Sequence, residues 1–280
     1  MLLTKTQISE FASQGFLVLK DFVSAEACDR LRKRGEALVQ DFDPKGVVSI
    51  FSTREQQNRL ADEYFLGSGD KIRFFFEADA FLPDGSLKQS KERSINKIGH
   101  ALHDLDPIFN SFSRTEKLRI LSSELEMSSP LLLQSMYVFK QPYIGGEVTC
   151  HQDSTFLYTE PIDILGLWFA LEDATIQNGC LWVIPGGHRL GLKSRWVRAD
   201  EGGMRFEIFD ETPFPEAQLV PLEVSKGTLL ILHGLLPHKS LPNRSSKSRH
   251  AYTLHLIGSD CHYPDSNWLR RSREMPLSGF

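Results

Sequence analysis

The chain has 280 residues, of which 41% are hydrophobic and 24% are charged, and its formal net charge is −4. This length is sufficient for a buried core without disulfide or metal staples, and the mildly acidic balance argues against a nucleic-acid partner. The apolar runs are far shorter than a membrane span, and the first residues lack the apolar centre of a signal peptide, so we expect a cytoplasmic protein.

The first third of the chain mixes helical and strand patterns. Thr4 and Gln7 have the spacing of a capping box and predict a helix that ends at Gly15. Ser24 predicts the start of a second helix with an apolar stripe. The remaining predicted elements of this part are strands at residues 16–19 and 71–77 and helices at residues 96–105 and 115–125.

From residue 131 onward, strand patterns replace helical ones, with turns that contain Gly, Pro and polar residues. The predicted strands cover residues 131–140, 147–153, 164–171, 180–184, 227–233 and 249–257. Successive strands without intervening helices favour a sandwich, barrel or jelly roll over a parallel α/β sheet. We therefore expect a mainly β protein with flanking helices. Residues 186–221 are long and polar, which is typical of a lid or binding loop.

His151 and Asp153 are the first residues that indicate chemistry. Residues two apart on a strand point to the same side, so an imidazole and a carboxylate would leave the strand together. His238, just after the strand at 227–233, can supply a third ligand. Two histidines and one carboxylate on one side of a metal leave three positions open, an arrangement that suits Fe(II).

An arginine follows His238 by eleven residues, and Arg249 is predicted to open a strand. A guanidinium can bind a carboxylate through two parallel hydrogen bonds, and Ser240 can donate one more. His233 is a rival for the third ligand, because Arg244 follows it at the same spacing. Arg244 lies in a polar loop, however, so we favour the first pair.

These motifs occur in a fixed order: His151-x-Asp153, residues 178–188, His238-x-Ser240 and Arg249-x-Ala-Tyr-Thr. In that order they resemble the phytanoyl-CoA dioxygenase family, and the resemblance covers nearly the whole chain. It implies a double-stranded β-helix, which is a cupin-like jelly roll with flanking helices. It implies one oxygenase domain over residues 1–280, with mixed support in residues 1–130 and the jelly-roll core in residues 131–260.

The resemblance also implies a site and a reaction. Its iron ligands are His151, Asp153 and His238; its 2-oxoglutarate contacts are Arg249, Ser240, Lys97, Met136 and Trp168. It implies Fe(II), 2-oxoglutarate and O₂ as cofactors, with ascorbate in support, and succinate, CO₂ and a hydroxylated small molecule as products.

By their patterns alone, several of these residues have ordinary structural roles. Lys97 is typical of a solvated lysine on the predicted helix, and Met136 and Trp168 are typical of a core. His188 is predicted to be a structural turn histidine, and His100 and His103 to serve helix packing or the site rim. Residues 47–60 and 186–221 are predicted to form the mouth of the site.

Three alternatives stay open at the level of sequence. A non-catalytic cupin-like module would keep the fold and the metal without the reaction. A zinc hydrolase could use the same three ligands, although Arg249 would then have no role. An oxygenase of the same type could act on protein or nucleic acid. The first residues also lack a peroxisomal presequence, which argues against an acyl-CoA substrate. The sequence does not define the oligomeric state.

Overall fold

The computed structural model describes residues 1–47, 49–53, 62–127 and 129–280. Its α-helices are α1 (Lys5–Gln14), α2 (Ala25–Asp41), α3 (Glu63–Leu66), α4 (Leu102–Leu105), α5 (Pro107–Ser113), α6 (Glu116–Glu124) and α7 (Asp153–Phe156). Its strands are β1 (Phe16–Leu19), β2 (Ile72–Phe76), β3 (Ile95–His100), β4 (Pro130–Val138), β5 (Val148–His151), β6 (Ile164–Ala170), β7 (Leu181–Val183), β8 (Ser194–Arg198), β9 (Met204–Ile208), β10 (Val220–Leu222), β11 (Leu229–His233), β12 (His238–Ser240) and β13 (Ala251–Gly258).

The helix ends near the N-terminus follow the predicted capping. Thr4 Oγ1 accepts a hydrogen bond from the Gln7 amide at 3.2 Å, and the Thr4 amide donates to Gln7 Oε1 at 2.8 Å. Gly15 ends α1 in the left-handed region at φ 78°, which a glycine adopts without steric cost. Ser24 caps α2 by accepting from the Ala27 amide. These caps place β1 at the edge of the main sheet.

Antiparallel pairing joins eleven of the strands into two sheets. The larger sheet has the order β1-β11-β6-β13-β4-β3-β2, and the smaller one has the order β10-β7-β12-β5. β8 and β9 pair with each other as a separate hairpin, and β8 also forms a single bridge from Val197 to Asn267. Strands that follow one another along the chain, from β4 to β7 and from β10 to β13, alternate between the two sheets, as in a jelly roll.

The two faces of the larger sheet have different neighbours, because successive side chains on a strand point in opposite directions. Leu167 and Phe169 of β6 belong to a cluster that includes Leu31 of α2. Trp168, between them, packs with Val183 of β7 in the smaller sheet. Helices therefore cover one face of the larger sheet, and the smaller sheet covers the other.

Three predictions about local structure were wrong. Of the helix predicted at residues 96–105, residues 102–105 are helical as α4, but residues 96–100 belong to β3, which pairs with both β2 and β4 and is buried along its whole length. Ile95 and Ile98 are three residues apart, so the apolar spacing imitates a helix. The strand predicted at residues 147–153 ends at His151, and Asp153 begins α7. The predicted loop at 186–221 contains β8, β9 and β10.

None of the helices in the described part of the chain is both long and apolar enough to cross a lipid bilayer.

Candidate active site

His151, Asp153 and His238 come together where β5, α7 and β12 meet. His151 and His238 are direct partners in the β5–β12 pair, and their ring centroids lie 4.3 Å apart. Asp153 Oδ1 lies 3.7 Å from the Nε2 atom of each ring. One ligand atom from each of the three residues falls within 4.8 Å of the others, a spacing that one metal ion can bridge.

The backbone determines which ring nitrogens are available. His151 Nδ1 lies 2.8 Å from the Thr149 carbonyl oxygen, and His238 Nδ1 lies 3.0 Å from the Leu236 carbonyl oxygen. A carbonyl only accepts, so both Nδ1 atoms carry the proton and both Nε2 lone pairs face Asp153. Removal from water, with His238 close by, lowers the pKa of His151 to about 4. The His151 ring is therefore neutral at pH 7, as a metal ligand must be.

Asp153 is buried, and a neighbouring histidine contacts the Oδ2 atom of its carboxylate. Burial alone raises the pKa of this carboxyl, but His238, His255 and His151 together lower it well below its usual value. Asp153 Oδ2 lies 3.3 Å from His255 Nε2. Gly166 of β6 lies beneath it, and a Cβ there would approach Asp153 Oδ2 to 3.0 Å. The carboxylate is thus ionised, with Oδ1 directed toward the two imidazoles.

His255 was missed by the sequence reasoning. It lies on β13 and is buried, and its Nδ1 has no partner among the described residues. Metal-bound side chains commonly depend on such an outer hydrogen-bond partner for their orientation. A signal was present: Arg249, Ala251 and Thr253 were predicted to share a strand face, and His255 is the next residue in that alternation.

Arg249 lies two residues before β13 and is only 2% exposed. Its Nε donates to the Gly179 carbonyl at 3.0 Å, and its Cζ lies 5.3 Å from the centre of the Trp168 ring. Burial lowers the pKa of Arg249 to about 10, so it is charged at pH 7. Its Nη1 is buried without a partner among the described residues. An unused charged donor in the interior indicates a site for an anionic ligand.

Ser240 follows His238 by two residues on β12, and its side chain is buried. Its Oγ accepts a hydrogen bond from Lys140 Nζ at 2.9 Å. Lys140 was not predicted as a site residue, since a lone lysine at a strand end is usually solvated. The structure buries it beside Ser240 instead.

Lys97 and Met136 also meet. Lys97 lies on β3, is buried, and has its Nζ 3.6 Å from Met136 Sδ and 3.6 Å from the centre of the Phe51 ring. The prediction of a solvated helical lysine was therefore wrong. Gly99, the next residue of β3 on the same face, pairs with Met136. Both side chains line the same cavity as His151 and Asp153.

These residues border a cavity of about 200 Å³. Its lining includes the side chains of His151, Asp153, His255, Lys97 and Met136. It also includes a set of rings that we call the aromatic wall: Phe51, Phe65, Phe156, Trp196, Phe206, Phe214 and Trp268. His238, Trp168, Ser240 and Arg249 are not among the lining residues. Trp168 is joined to Met136 through Thr253, because both pair with that residue across β13.

Both segments predicted at the mouth contribute to this cavity. Phe51 and Thr53 line it, while position 48 and positions 54–60 of the predicted segment lie outside the described residues. From the second segment, Trp196 and Phe206 reach the cavity from the β8–β9 hairpin.

The other histidines considered have structural surroundings. His233, the rival ligand, packs 5.1 Å from His188 between ring centroids, and its Nδ1 accepts from the Leu235 amide. Its companion Arg244 is exposed. His188 Nε2 lies 3.2 Å from a carbonyl of α1, and His100 and His103 are fully buried in the packing around β3 and α4. Among the described residues, the triad of His151 is the cluster suited to a metal.

Comparison with known sequences places the chain among close relatives. A sequence model of the family described as phytanoyl-CoA dioxygenase (PhyH) matches residues 11–251. A protein named phytanoyl-CoA dioxygenase from Arabidopsis thaliana is 48% identical over 275 residues, covering 97% of this chain and 95% of that protein. Phytanoyl-CoA dioxygenase domain-containing protein 1 from Bos taurus is 45% identical over 283 residues, covering 98% and 97%.

Solved structures with the same fold are more distant in sequence. EctD from S. alaskensis, crystallised with 2-oxoglutarate and 5-hydroxyectoine, has a TM-score of 0.65 at 20% identity and covers 97% of this chain and 84% of its own. The epimerase SnoN, in complex with Fe³⁺, alpha ketoglutarate and nogalamycin RO, has a TM-score of 0.67 at 12% identity, with 99% and 92% covered. These likenesses confirm the predicted jelly-roll fold.

Proposed function

The chain belongs to the phytanoyl-CoA dioxygenase family, and we propose that it is an Fe(II)- and 2-oxoglutarate-dependent dioxygenase. In this proposal the iron ligands are His151, Asp153 and His238. Arg249 and Ser240 bind the distal carboxylate of 2-oxoglutarate, and Lys97, Met136 and Trp168 complete the cosubstrate pocket. The observation that carries the proposal is the buried Nη1 of Arg249, which has no partner among the described residues, in a chain that also forms a His–Asp–His cluster.

The donor set suits Fe(II). Two neutral imidazole Nε2 atoms and one carboxylate oxygen converge from one side, so the remaining coordination positions stay open for ligands. The same donors could hold Zn²⁺ with an open water position. A zinc hydrolase would leave the buried guanidinium of Arg249 without an anion, which argues for the iron enzyme.

The distance between the metal ligands and the Arg249 guanidinium suits 2-oxoglutarate. Asp153 lies over Gly166, and Trp168 is two residues further along β6. Two residues of a strand span about 7 Å, and the guanidinium of Arg249 lies over the Trp168 ring. A five-carbon 2-oxo dicarboxylate has a length of this order, so one end can reach the metal ligands while the other reaches Arg249.

Bound iron, with 2-oxoglutarate and O₂, supplies an oxidant that hydroxylates a substrate as succinate and CO₂ form. The chain's own residues hold the reactants for this chemistry. His255 and Gly166 keep the Asp153 carboxylate directed at the metal position. The aromatic wall, which includes Phe156 and Trp196, restricts access of bulk water to the cavity.

The substrate in this proposal is a small molecule. The relatives from Arabidopsis thaliana and rice are named for phytanoyl-CoA, which makes that thioester the first compound to test. The cavity of about 200 Å³ is smaller than the roughly 300–1,000 Å³ of pockets that enclose drug-sized ligands. Its size favours a compact reacting group over a long acyl chain, so non-acyl-CoA substrates belong in the same panel.

The test is iron-dependent turnover of 2-oxoglutarate by anaerobically prepared protein, with ascorbate present, against a panel of acyl-CoA thioesters, free acids and small metabolites. Hydroxylated product is scored together with succinate. Asp153→Ala should abolish succinate formation, and normal turnover by that variant would refute the ligand assignment.

Arg249→Ala should weaken 2-oxoglutarate binding about thirtyfold or more, because loss of a buried charge pair costs roughly 2–5 kcal/mol. Arg244→Ala is the matched control, since Arg244 is an exposed arginine of the same loop. This substitution should leave 2-oxoglutarate binding unchanged. Bound iron without any 2-oxoglutarate turnover would instead favour a non-catalytic module. Hydroxylation of a protein or nucleic acid would favour a macromolecular substrate.

A further inference from the structure

Three ionisable side chains are buried together at the Arg249 end of the pocket. Glu77 is 0% exposed, and Lys140 and Arg249 are each 2% exposed. Glu77 Oε2 accepts hydrogen bonds from the Gly146 amide at 3.0 Å and from Asn96 Nδ2 at 2.8 Å. Among the described residues, the charged forms of these three groups sum to one positive charge, since the nearby Glu172 is already paired with an arginine of α2 at 2.7 Å. Such a charge is costly in the interior unless an anion joins it.

Lys140 is fixed in this position by its surroundings. Its backbone adopts φ 44°, an unusual conformation for lysine, and its carbonyl accepts from Asn243 Nδ2 at 2.9 Å. Its stem passes over Gly179, where an added Cβ would lie 2.6 Å from Lys140 Cε. The Gly179 carbonyl accepts from Arg249 Nε. Gly179 therefore contacts both cations and holds them close to each other.

The hydrogen bond between Lys140 and Ser240 has a defined direction. An ammonium group has three donors and no acceptor, so Ser240 Oγ must accept from Lys140 Nζ. The hydroxyl hydrogen of Ser240 must then point elsewhere. No described residue accepts it, and the serine is buried. A buried donor of this kind, beside the unused Nη1 of Arg249, is suited to an incoming carboxylate.

We propose that Lys140 is a positioning residue of the cosubstrate site, which turns the Ser240 hydroxyl hydrogen toward the distal carboxylate of 2-oxoglutarate. Together with Arg249 it supplies the positive charge that this carboxylate neutralises. The inference rests on the proposed function, because it assumes that 2-oxoglutarate is the anion. It assigns to the cosubstrate site a residue, Lys140, that acts without contacting 2-oxoglutarate.

A pH dependence follows. Burial, together with repulsion from Arg249, lowers the pKa of Lys140 to about 7, while Glu77, Glu147 and Cys180 face it and act in the opposite direction. A bound carboxylate favours the charged lysine, so binding takes up a proton near and above neutral pH. Affinity for 2-oxoglutarate should be greatest below about pH 7 and should fall as the pH rises further.

The test is calorimetric titration of 2-oxoglutarate into the anaerobic Fe(II)-loaded protein. Lys140→Met keeps an unbranched side chain that is one atom shorter and removes the donors. It should weaken binding about tenfold, as expected for one hydrogen bond to a charged group. Ser240→Ala should have a similar effect, and the double variant should lose little more, since both changes remove the same contact. The decrease in affinity above pH 7 should be smaller in Lys140→Met than in the wild type.

Two controls separate this role from general damage. 2-Oxobutyrate lacks the distal carboxylate, so its affinity should be the same in wild type and Lys140→Met. Lys91→Met removes a lysine that donates to two backbone carbonyls elsewhere, and it should leave 2-oxoglutarate binding unchanged. If Lys140→Met fails to fold because Glu77 loses a nearby positive charge, Lys140→Met/Glu77→Gln removes both charges and carries the same expectation.

The inference is overturned if a folded Lys140 variant binds 2-oxoglutarate with wild-type affinity and pH dependence, or if the Lys140 and Ser240 effects multiply. An affinity of the wild type that is flat from pH 6 to 8 overturns it without any variant. If wild-type protein does not bind 2-oxoglutarate, or if Arg249→Ala has no effect, the proposed function fails instead.

Discussion

His255 gives the sharpest test of how the metal site is built. Its Nε2 lies 3.3 Å from Asp153 Oδ2, and its other nitrogen has no partner among the described residues, so substitution removes one known contact. A hydrogen bond to a charged group contributes about 1.5–3 kcal/mol. This range of free energy corresponds to a change in metal affinity of about 10- to 150-fold. Substitution of residues that hydrogen-bond to metal ligands typically lowers metal affinity about 10- to 100-fold.

The perturbation is His255→Leu, compared with His255→Gln, whose amide nitrogen can replace Nε2 as a donor. We expect His255→Leu to bind Fe(II) about 10- to 100-fold more weakly, and His255→Gln to recover most of the loss. Competitive metal titration under anaerobic conditions measures both, with His188→Leu as a control distant from the ligands. Wild-type affinity in His255→Leu, or an equal loss in both variants, would show that His255 does not orient Asp153.

Three further predictions concern the same framework. Gly166→Ala should lower metal affinity, measured by the same titration, because its Cβ would lie 3.0 Å from Asp153 Oδ2. Gly35→Ala should lower the free energy of unfolding in urea by about 1–3 kcal/mol without changing metal affinity, because its Cβ would lie 2.9 Å from the buried Tyr137 ring. Burial lowers the pKa of His151 from 6.5 to about 4, so the unfolded chain binds the proton first as the pH falls. The metal-free protein should therefore lose stability between about pH 6.5 and 4 in urea unfolding, and His151→Leu should reduce that loss.

The sequence predicted the residues that lie close in a motif. His151 and Asp153 are two apart, and His238 and Ser240 are two apart, so each pair could be recognised without knowledge of the fold. For the first pair, the prediction of one continuous strand was nevertheless wrong. Asp153 begins a helical turn instead of continuing the strand, and its carboxylate still faces the imidazoles because Gly166 leaves room for it.

Residues whose roles depend on strand register were harder to predict. Lys140 and Ser240 are a hundred residues apart, and their contact exists only because the two sheets pack together. Lys97 lies on an interior strand whose apolar residues are spaced as in a helix, so its burial was not evident. Local patterns report the face of one element, whereas these contacts are set by the order of strands in the sheet.

The β8–β9 hairpin belongs to neither of the two sheets, yet it supplies Trp196 and Phe206 to the cavity. Its residues can therefore be exchanged without changing the pairing of β5 with β12, the strands that carry His151 and His238. We therefore expect exchanges in the hairpin to change the shape of the cavity more than the pairing of the strands that carry the metal-binding histidines. Grafting this hairpin between relatives is accordingly a direct route to new substrate preferences on an unchanged catalytic frame.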